Sequence, residues 1–483
     1  MTNNQQLTTN DQQKMKIRKP ILVGGLGLSF GLWAWWNLQD SLLQAGETGL
    51  TGVMIVGGGL WLLQKAKPRK NLSLPQPQIV TEAMLNRAIA KVQECIKLIA
   101  TEAPDSDVSD LEAQIKTIRD RLQRQTLQLA IAGGRKTGKT ELANQLKGSF
   151  PPETLEIIDT EALFSNSETE DSEIEKTILA ADLVIFLLDG DLSDSQLQKI
   201  KQWRSRSQQV LVSLNKQDRY PEDEKATIIE QIKGRLVTLI DFDDISAIST
   251  QPAPVKVRKH QEDGTISETL ETQKPEITLL RDRVSSLLEN QRQALTLATA
   301  WREATNLQTA AKTRLNAIRR DRALPIIERY QWIAATAAFA NPVAALDLLA
   351  TAAISTQMLV DLGEIYQQKF SLSQAQNAAG TLGEQMVKLG LVELSTQTIG
   401  GLLKTNAMTY VAGGVVQGIS AAYLTRIAGL SLIEYLQDQD IQANTETKIN
   451  WDKFNQTLKN VFQANQRTAF LQNFVQQAKT RLV

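Results

Sequence analysis

The densest chemistry in this sequence lies in eight consecutive residues, Gly133-Gly134-Arg135-Lys136-Thr137-Gly138-Lys139-Thr140. They fit the pattern G-x-x-x-x-G-K-[ST], in which each residue type has a mechanical task. The glycines let a loop wrap a polyphosphate so that backbone N–H groups point inward at a helix N-terminus. The Lys139 ammonium would neutralise the outer phosphates, and the Thr140 hydroxyl would ligate Mg²⁺. Asp159 closes the run Leu155-Glu156-Ile157-Ile158 and is the carboxylate expected on the Mg²⁺ side. Thr154 is the only threonine between Thr140 and Asp159, so it is the candidate third metal-side residue. Lys139, Thr140 and Asp159 are therefore the residues expected to act on a phosphoryl group.

A phosphate loop does not choose its base. Asn215-Lys216-Gln217-Asp218 does more, because a carboxylate at Asp218 can accept both the ring N1–H and the exocyclic amino group of guanine, a donor pair that adenine lacks. These residues resemble the N-K-x-D guanine motif of P-loop GTPases. Ile245-Ser246-Ala247 resembles their short S-A motif, and the run from Ala181-Asp182 to Asp189 resembles a buried strand common in Era-like and Ras-like GTPases. The likeness covers roughly residues 127–288, with the motifs in the family's order. It implies a parallel α/β fold, GTP/GDP and Mg²⁺ as ligands, and hydrolysis of GTP. It further implies that Asn215 serves the other side of the base, that the Lys216 stem covers its face, and that a backbone N–H of the Ser246-Ala247 segment meets the guanine oxygen.

Three departures qualify the likeness. Only 18 residues separate Thr140 from Asp159, so the first switch region is short. The D-x-x-G pattern reads Asp159-Thr160-Glu161-Ala162, with alanine in place of the glycine. Leu163 stands where Ras-like proteins carry a glutamine that orients water, and a leucine cannot do that. Slow intrinsic hydrolysis is expected, with a partner, a cation or dimerisation supplying the missing group. The alternative is a GTP-binding scaffold with negligible turnover.

Around this centre the elements follow from periodicity. Leu127–Ala132, Leu155–Asp159 and Gln209–Leu214 read as strands, and with the run from Ala181 to Asp189 their alternation with helical segments gives a parallel-type sheet. The fold class is thus α/β, a P-loop GTPase domain flanked by an N-terminal transmembrane hairpin and a C-terminal all-α domain. Val255-Lys256-Val257 and Thr265-Ile266 around Asp263-Gly264 read as a surface hairpin.

Residues 1–19 read as a cytoplasmic tail. Within 20–66, Pro20–Leu38 and Thr48–Gln64 are uncharged and apolar, with Trp33, Trp35, Trp36 and Trp61 toward their ends. Lys14, Lys16, Arg18 and Lys19 precede the pair, and Lys65, Lys67, Arg69 and Lys70 follow it. The positive-inside rule then puts both ends in the cytoplasm, as in a bacterial plasma membrane or a thylakoid, with membrane lipid as partner. A signal peptide fits poorly because a second apolar stretch follows at once. Residues 67–126 read as a Pro-containing linker and a helical stalk, with Ser109 and Glu112 as a capping box.

Residues 289–440 read as a helical, membrane-associated domain. Ala294, Leu297, Trp301, Ala304, Gln308, Ala311, Leu315 and Ile318 recur at a coiled-coil spacing, so a homodimer through these helical arms is expected. Arg314, Arg319, Arg320 and Arg322 form a basic cluster able to meet anionic headgroups, or else a solvated helix end. Thr405–Thr425 is uncharged but glycine-containing, and a buried or membrane-inserting helical hairpin is favoured over a span. This region resembles the C-terminal helical domain of YcjF-type membrane proteins in its alanine-rich helices and its Asn341-Pro342 break. Residues 441–483 read as an amphipathic tail, packed rather than lipid-bound.

Composition narrows the classes further. Lys plus Arg and Asp plus Glu are both 53, so binding of nucleic acid through bulk charge is not expected. A single cysteine, Cys95, rules out an internal disulfide, and a single histidine, His260, rules out a poly-histidine metal site.

Overall fold

The computed structural model describes residues 79–164, 168–260, 266–340, 344–404, 413–439, 449–466 and 468–482. The tail, the apolar pair and the linker expected before residue 79 lie outside the described residues. So do the turn of the surface hairpin and the Asn341-Pro342 break.

Helices α1 (Glu82–Glu102) and α2 (Ser109–Leu122) form as their apolar stripes predict. Thr81 caps α1 by accepting from Met84 N at 3.4 Å. The capping box expected at Ser109 is absent. Val108 is the cap residue, and the Asp107 carboxylate accepts from Ser109 N at 2.9 Å instead. A carboxylate beside free N–H groups at a helix start is favourable in either position.

Five parallel strands follow: β1 (Leu127–Gly133), β2 (Leu155–Asp159), β3 (Leu183–Leu188), β4 (Gln209–Leu214) and β5 (Ile245–Ala247), in the order β2-β1-β3-β4-β5. The helices α3 (Lys139–Lys147), α4 (Glu168–Ala180), α5 (Asp194–Ser205), α6 (Glu222–Leu236) and α7 (Thr278–Asn290) cover both faces. Successive residues on one strand therefore face opposite cores. Ala130, Val184, Phe186, Val210 and Val212 belong to one core, and Leu129, Ile131, Ile185, Leu187 and Leu211 to the other. Between α3 and β2 only residues 148–154 remain, which leaves no room for a further edge strand. The C-terminal strand ends of β1 and β3 lie side by side where the chain order reverses, the place at which open α/β sheets take ligands. The surface hairpin consists of β6 (Val255–His260) and β7 (Ile266–Glu271), antiparallel and in a sheet of its own.

One residue, Gln291, separates α7 from α8 (Arg292–Ala340), a 49-residue helix. At 1.5 Å per residue it spans roughly 73 Å. Pro325 lies inside it without ending it. The coiled-coil seam is real, but α1 and α2 of the same chain fill it. Ala300, Ala304, Leu307, Ala311 and Leu315 share one core with Leu85, Val92, Ile99 and Ile115. The expected stalk is thus a layer against α8, and this seam is not open to a second copy.

The basic cluster is also largely committed within the chain. Arg319, with its side chain 4% exposed, donates to Glu102 at 2.7 Å, and Arg322 reaches the same carboxylate at 3.1 Å. Arg314 pairs with Asp110 at 3.1 Å. All three tie α8 to the stalk helices, and Arg319 is the one whose nearly buried guanidinium needs a fixed partner.

The second half of α8 packs with α9 (Ala344–Ile365), α10 (Leu372–Lys388), α11 (Leu391–Lys404), α12 (Gly413–Gln437), α13 (Trp451–Asn465) and α14 (Thr468–Leu482) around one core. A Cβ on Gly429 of α12 would stand 2.7 Å from Ile327, so that glycine permits the close crossing of α12 over α8. Gly414–Gln437 is the one helix among the described residues long and apolar enough to cross a membrane, and 72% of its apolar window is buried in the protein. The tail read as a separate segment belongs to the same core through Phe454, Leu458, Phe462 and Phe474.

Candidate functional site

The phosphate loop leaves β1 at Gly133 and enters α3 at Lys139. Gly138 caps α3 in the left-handed region, at φ 93°, and a Cβ there would stand 2.2 Å from Asn215 Nδ2. Only glycine suits both conditions. Thr137 is buried and its hydroxyl donates to Gly134 O at 3.1 Å, which stiffens the loop. Arg135 and Lys136 are exposed, Lys136 with a positive φ of 60°. Lys139 Nζ donates to the carbonyls of Gly133 (3.3 Å) and Gly134 (2.9 Å), so its ammonium lies across the mouth of the loop. Burial pushes its pKa down, and the charge on Asp159 opposes that.

Thr140 Oγ1 donates to Asp159 Oδ2 at 2.7 Å. This joins α3 to the end of β2 and sets two hard oxygens together, the donor type that Mg²⁺ takes alongside phosphate oxygens and water. The two residues fit the ion. Thr154 does not join them. It precedes Leu155, which pairs with Leu127 at the start of β1, whereas Asp159 pairs with Ile131. At about 3.3 Å per strand residue it lies roughly 16 Å from Asp159, at the opposite end of the sheet.

The segment after Asp159 turns back under the loop. Thr160 Oγ1 donates to Ile131 O at 2.8 Å, and Leu163 N donates to Gly133 O at 3.1 Å. The Leu163 side chain is 2% exposed and sits in the core with Ile178, Val184 and Phe186. A cleft of about 510 Å³ opens beside Asp159, Thr160 and Glu161, walled on α4 by Glu173, Ile174 and Thr177.

Asn215 follows β4 and is fully buried. Its Nδ2 donates to Thr137 O (2.8 Å) and Thr250 Oγ1 (3.0 Å), and its Oδ1 accepts from Thr250 N (3.1 Å). Through these bonds one buried amide joins the phosphate loop to the loop after β5. Lys216 adopts φ 61° and stretches across to Lys136 O at 2.5 Å, so its stem walls the space between β4 and the phosphate loop. Asp218 is exposed. Its Oδ1 accepts from the Ser249 hydroxyl and its Oδ2 from Ala253 N at 3.1 Å. Desolvation pushes this carboxyl up, but the Ser249 and Ala253 hydrogen bonds outweigh it and hold the pKa below the ordinary aspartate value.

Ser246 and Ala247 lie inside β5, paired with Ser213 and Leu214, and Ser246 Oγ is 2.9 Å from Ser213 Oγ. The residues that reach Asn215 and Asp218 are Ser249, Thr250 and Ala253, further along the chain. Ser-Ala occurs first in the chain, and Ser249-Thr250 is the hydroxyl pair just past the strand end.

Phosphate loop, Thr140–Asp159 pair and Asn215–Asp218 segment converge at the C-terminal edge of one parallel sheet, the arrangement of a P-loop α/β domain joined here to an all-α domain. Residues 302–467 match the model of a family described as Domain of unknown function (DUF697). Among curated proteins no match is found. Among solved structures, a dimerization-deficient mutant of Toc33 from Arabidopsis thaliana is similar at 16% identity and TM-score 0.25, covering 38% of this chain and 93% of its own. LeoA, a bacterial dynamin GTPase from ETEC, is similar at 12% identity and TM-score 0.28, covering 83% of this chain and 98% of its own.

Proposed function

We propose that this chain is a membrane-anchored GTP-binding protein that hydrolyses GTP slowly and acts as a switch or mechanoenzyme at the membrane. One observation carries the nucleotide part. Asn215 binds the phosphate loop directly, at Thr137 O, so the phosphate-gripping and base-reading segments border a single space. Asp218 is oriented in that space by Ser249 and Ala253 and kept ionised, as a reader of two guanine N–H donors must be. Lys139, the loop N–H groups and the α3 N-terminus would hold the phosphates. Thr140 and Asp159 would hold Mg²⁺, which supplies charge neutralisation at the phosphates when bound. The membrane part rests on the paired apolar stretches and flanking lysines and arginines of residues 14–70.

A titration of the full chain with fluorescent GTP and ATP analogues tests the reading. Wild type should prefer GTP by at least about tenfold, and Asp218→Asn should lose most of that preference, because the amide presents a donor where an acceptor is needed. Equal affinity for both nucleotides in wild type would sink it.

The burial of Leu163 favours a second reading, a GTP-binding scaffold with negligible turnover, since that side chain cannot approach a hydrolytic water. Single-turnover cleavage, with and without liposomes and at raised protein concentration, separates the two. Stimulated cleavage supports the switch, and none under any condition supports the scaffold.

A further inference from the structure

The middle turns of α4 face the cleft beside Asp159 through Glu173, Ile174 and Thr177. Its last carbonyls meet arginines. A helix C-terminus leaves its final carbonyls without intrahelical partners and carries a partial negative charge. Here Arg302 Nε donates to Leu179 O at 3.1 Å, Arg121 Nη1 to Ala180 O at 2.9 Å, and Arg302 Nη2 to Ala181 O at 2.8 Å. Three successive carbonyls are thus met by guanidinium groups from two other helices, α8 and α2. Arg302 also donates from Nη1 to Ser207 O just past α5 (3.1 Å) and from Nη2 to Thr299 Oγ1 one turn back on α8 (2.8 Å). Arg302 is only 4% exposed. Burial pushes its pKa down to about 10, with Asp182 opposing, so it remains cationic near neutrality.

Mere adhesion between two helices does not call for such a group, since apolar side chains of similar volume hold as well or better. The guanidinium fork adds sensitivity to position. Hydrogen bonds weaken steeply with misalignment, so an axial shift of α4 by about 1 Å would strain several of these bonds together, whereas an apolar contact would slide. α4 begins five residues after Leu163, whose N–H holds the first residue of the phosphate loop. Arg302 belongs to the one helix that continues, through Ile327 and Ala335, into the core of the all-α domain.

We propose that Arg302, assisted by Arg121, is a positioning clamp that couples α4 to α8, so that a change of nucleotide at Asp159–Leu163 is passed along α4 into the helical domain. The inference rests on the guanine-nucleotide reading above. The clamp touches no ligand and acts through α4 alone.

Hydrogen exchange of the full chain in detergent, read by mass spectrometry, tests it with GDP against a non-hydrolysable GTP analogue. In wild type, protection across residues 299–315 of α8 should differ between the two nucleotides by at least about threefold. In Arg302→Lys, affinity for each nucleotide should stay within about twofold and the response at 159–163 should persist, while the α8 response disappears. Arg121→Lys, at the edge of the clamp, should show a reduced α8 response and stands in for Arg302→Lys if that variant does not fold. Identical α8 protection in wild type saturated with either nucleotide overturns the clamp, as does a full response in Arg302→Lys, or in Arg121→Lys where it stands in. Failure of wild type to bind guanine nucleotide at all overturns the nucleotide reading, and is recognised separately because the titration never saturates.

Discussion

Leu163 occupies the position at which a catalytic glutamine would be sought, and the fold turns it inward. Its N–H holds Gly133 O while its side chain fills the core under β3. Leu163→Gln should therefore leave single-turnover GTP cleavage unaccelerated and should cost about 2–4 kcal/mol in denaturant unfolding, from lost packing and a buried amide. An increase in cleavage rate would show that this segment leaves the core during turnover. Asp218 gives a second expectation at this scale. Its pKa is lowered in the folded chain, so the carboxylate persists as pH falls, and any stability it contributes is present above the unfolded value and lost only below it. Guanine preference should then be constant from pH 7 down to about 5, as read by nucleotide titration across that range. A loss of preference beginning near pH 6 would assign the recognition to another group.

Among the elements, α8 and its two neighbours decide how the domains meet. Glu102 ends α1 with its side chain 9% exposed and receives both Arg319 and Arg322. Gln367, after α9, reaches it as well at 3.4 Å. Glu102→Ala leaves the Arg319 guanidinium without its carboxylate in a nearly buried setting, and should destabilise the helical part by about 3–5 kcal/mol. Tryptophan fluorescence during urea unfolding would register this as a lower midpoint, and an unchanged midpoint would assign the pair no net role. The seam of α8 carries a general lesson about periodicity. Alanine and leucine at coiled-coil spacing specify a helix that must be covered along one stripe, but the same stripe fits a second copy or another part of the same chain. Here Leu85, Val92 and Ile115 cover it.

At the scale of the whole molecule, the described residues place a parallel sheet, with the phosphate loop at its C-terminal strand ends, and an all-α core, with one helix serving both. Strand positions and the phosphate loop were legible in the sequence because they depend on local chemistry: glycine where φ must be positive, lysine and threonine at a fixed step, apolar runs of strand length. Thr154, the Ser246-Ala247 pair and the arginine cluster were not, because each needs a fact about distance. Thr154 is near Asp159 in the chain but at the far end of an extended strand. Ser246 and Ala247 lie inside β5, whereas the hydroxyls that bond Asp218 and Asn215 begin two positions past its end. Arg319 is basic on the sequence and neutralised in space by a residue more than two hundred positions away.

The sequence by itself determined the phosphate loop, the strand–helix alternation and the amphipathic faces of the helices, since all of these follow from side-chain type at short spacing. Tertiary structure alone decided that Asn215 joins two loops, that Leu163 is core, that the long seam is closed from within and that Arg302 meets the end of α4. Those outcomes depend on which distant segments share a low-dielectric interior, where every polar group must find a partner that the linear order does not name.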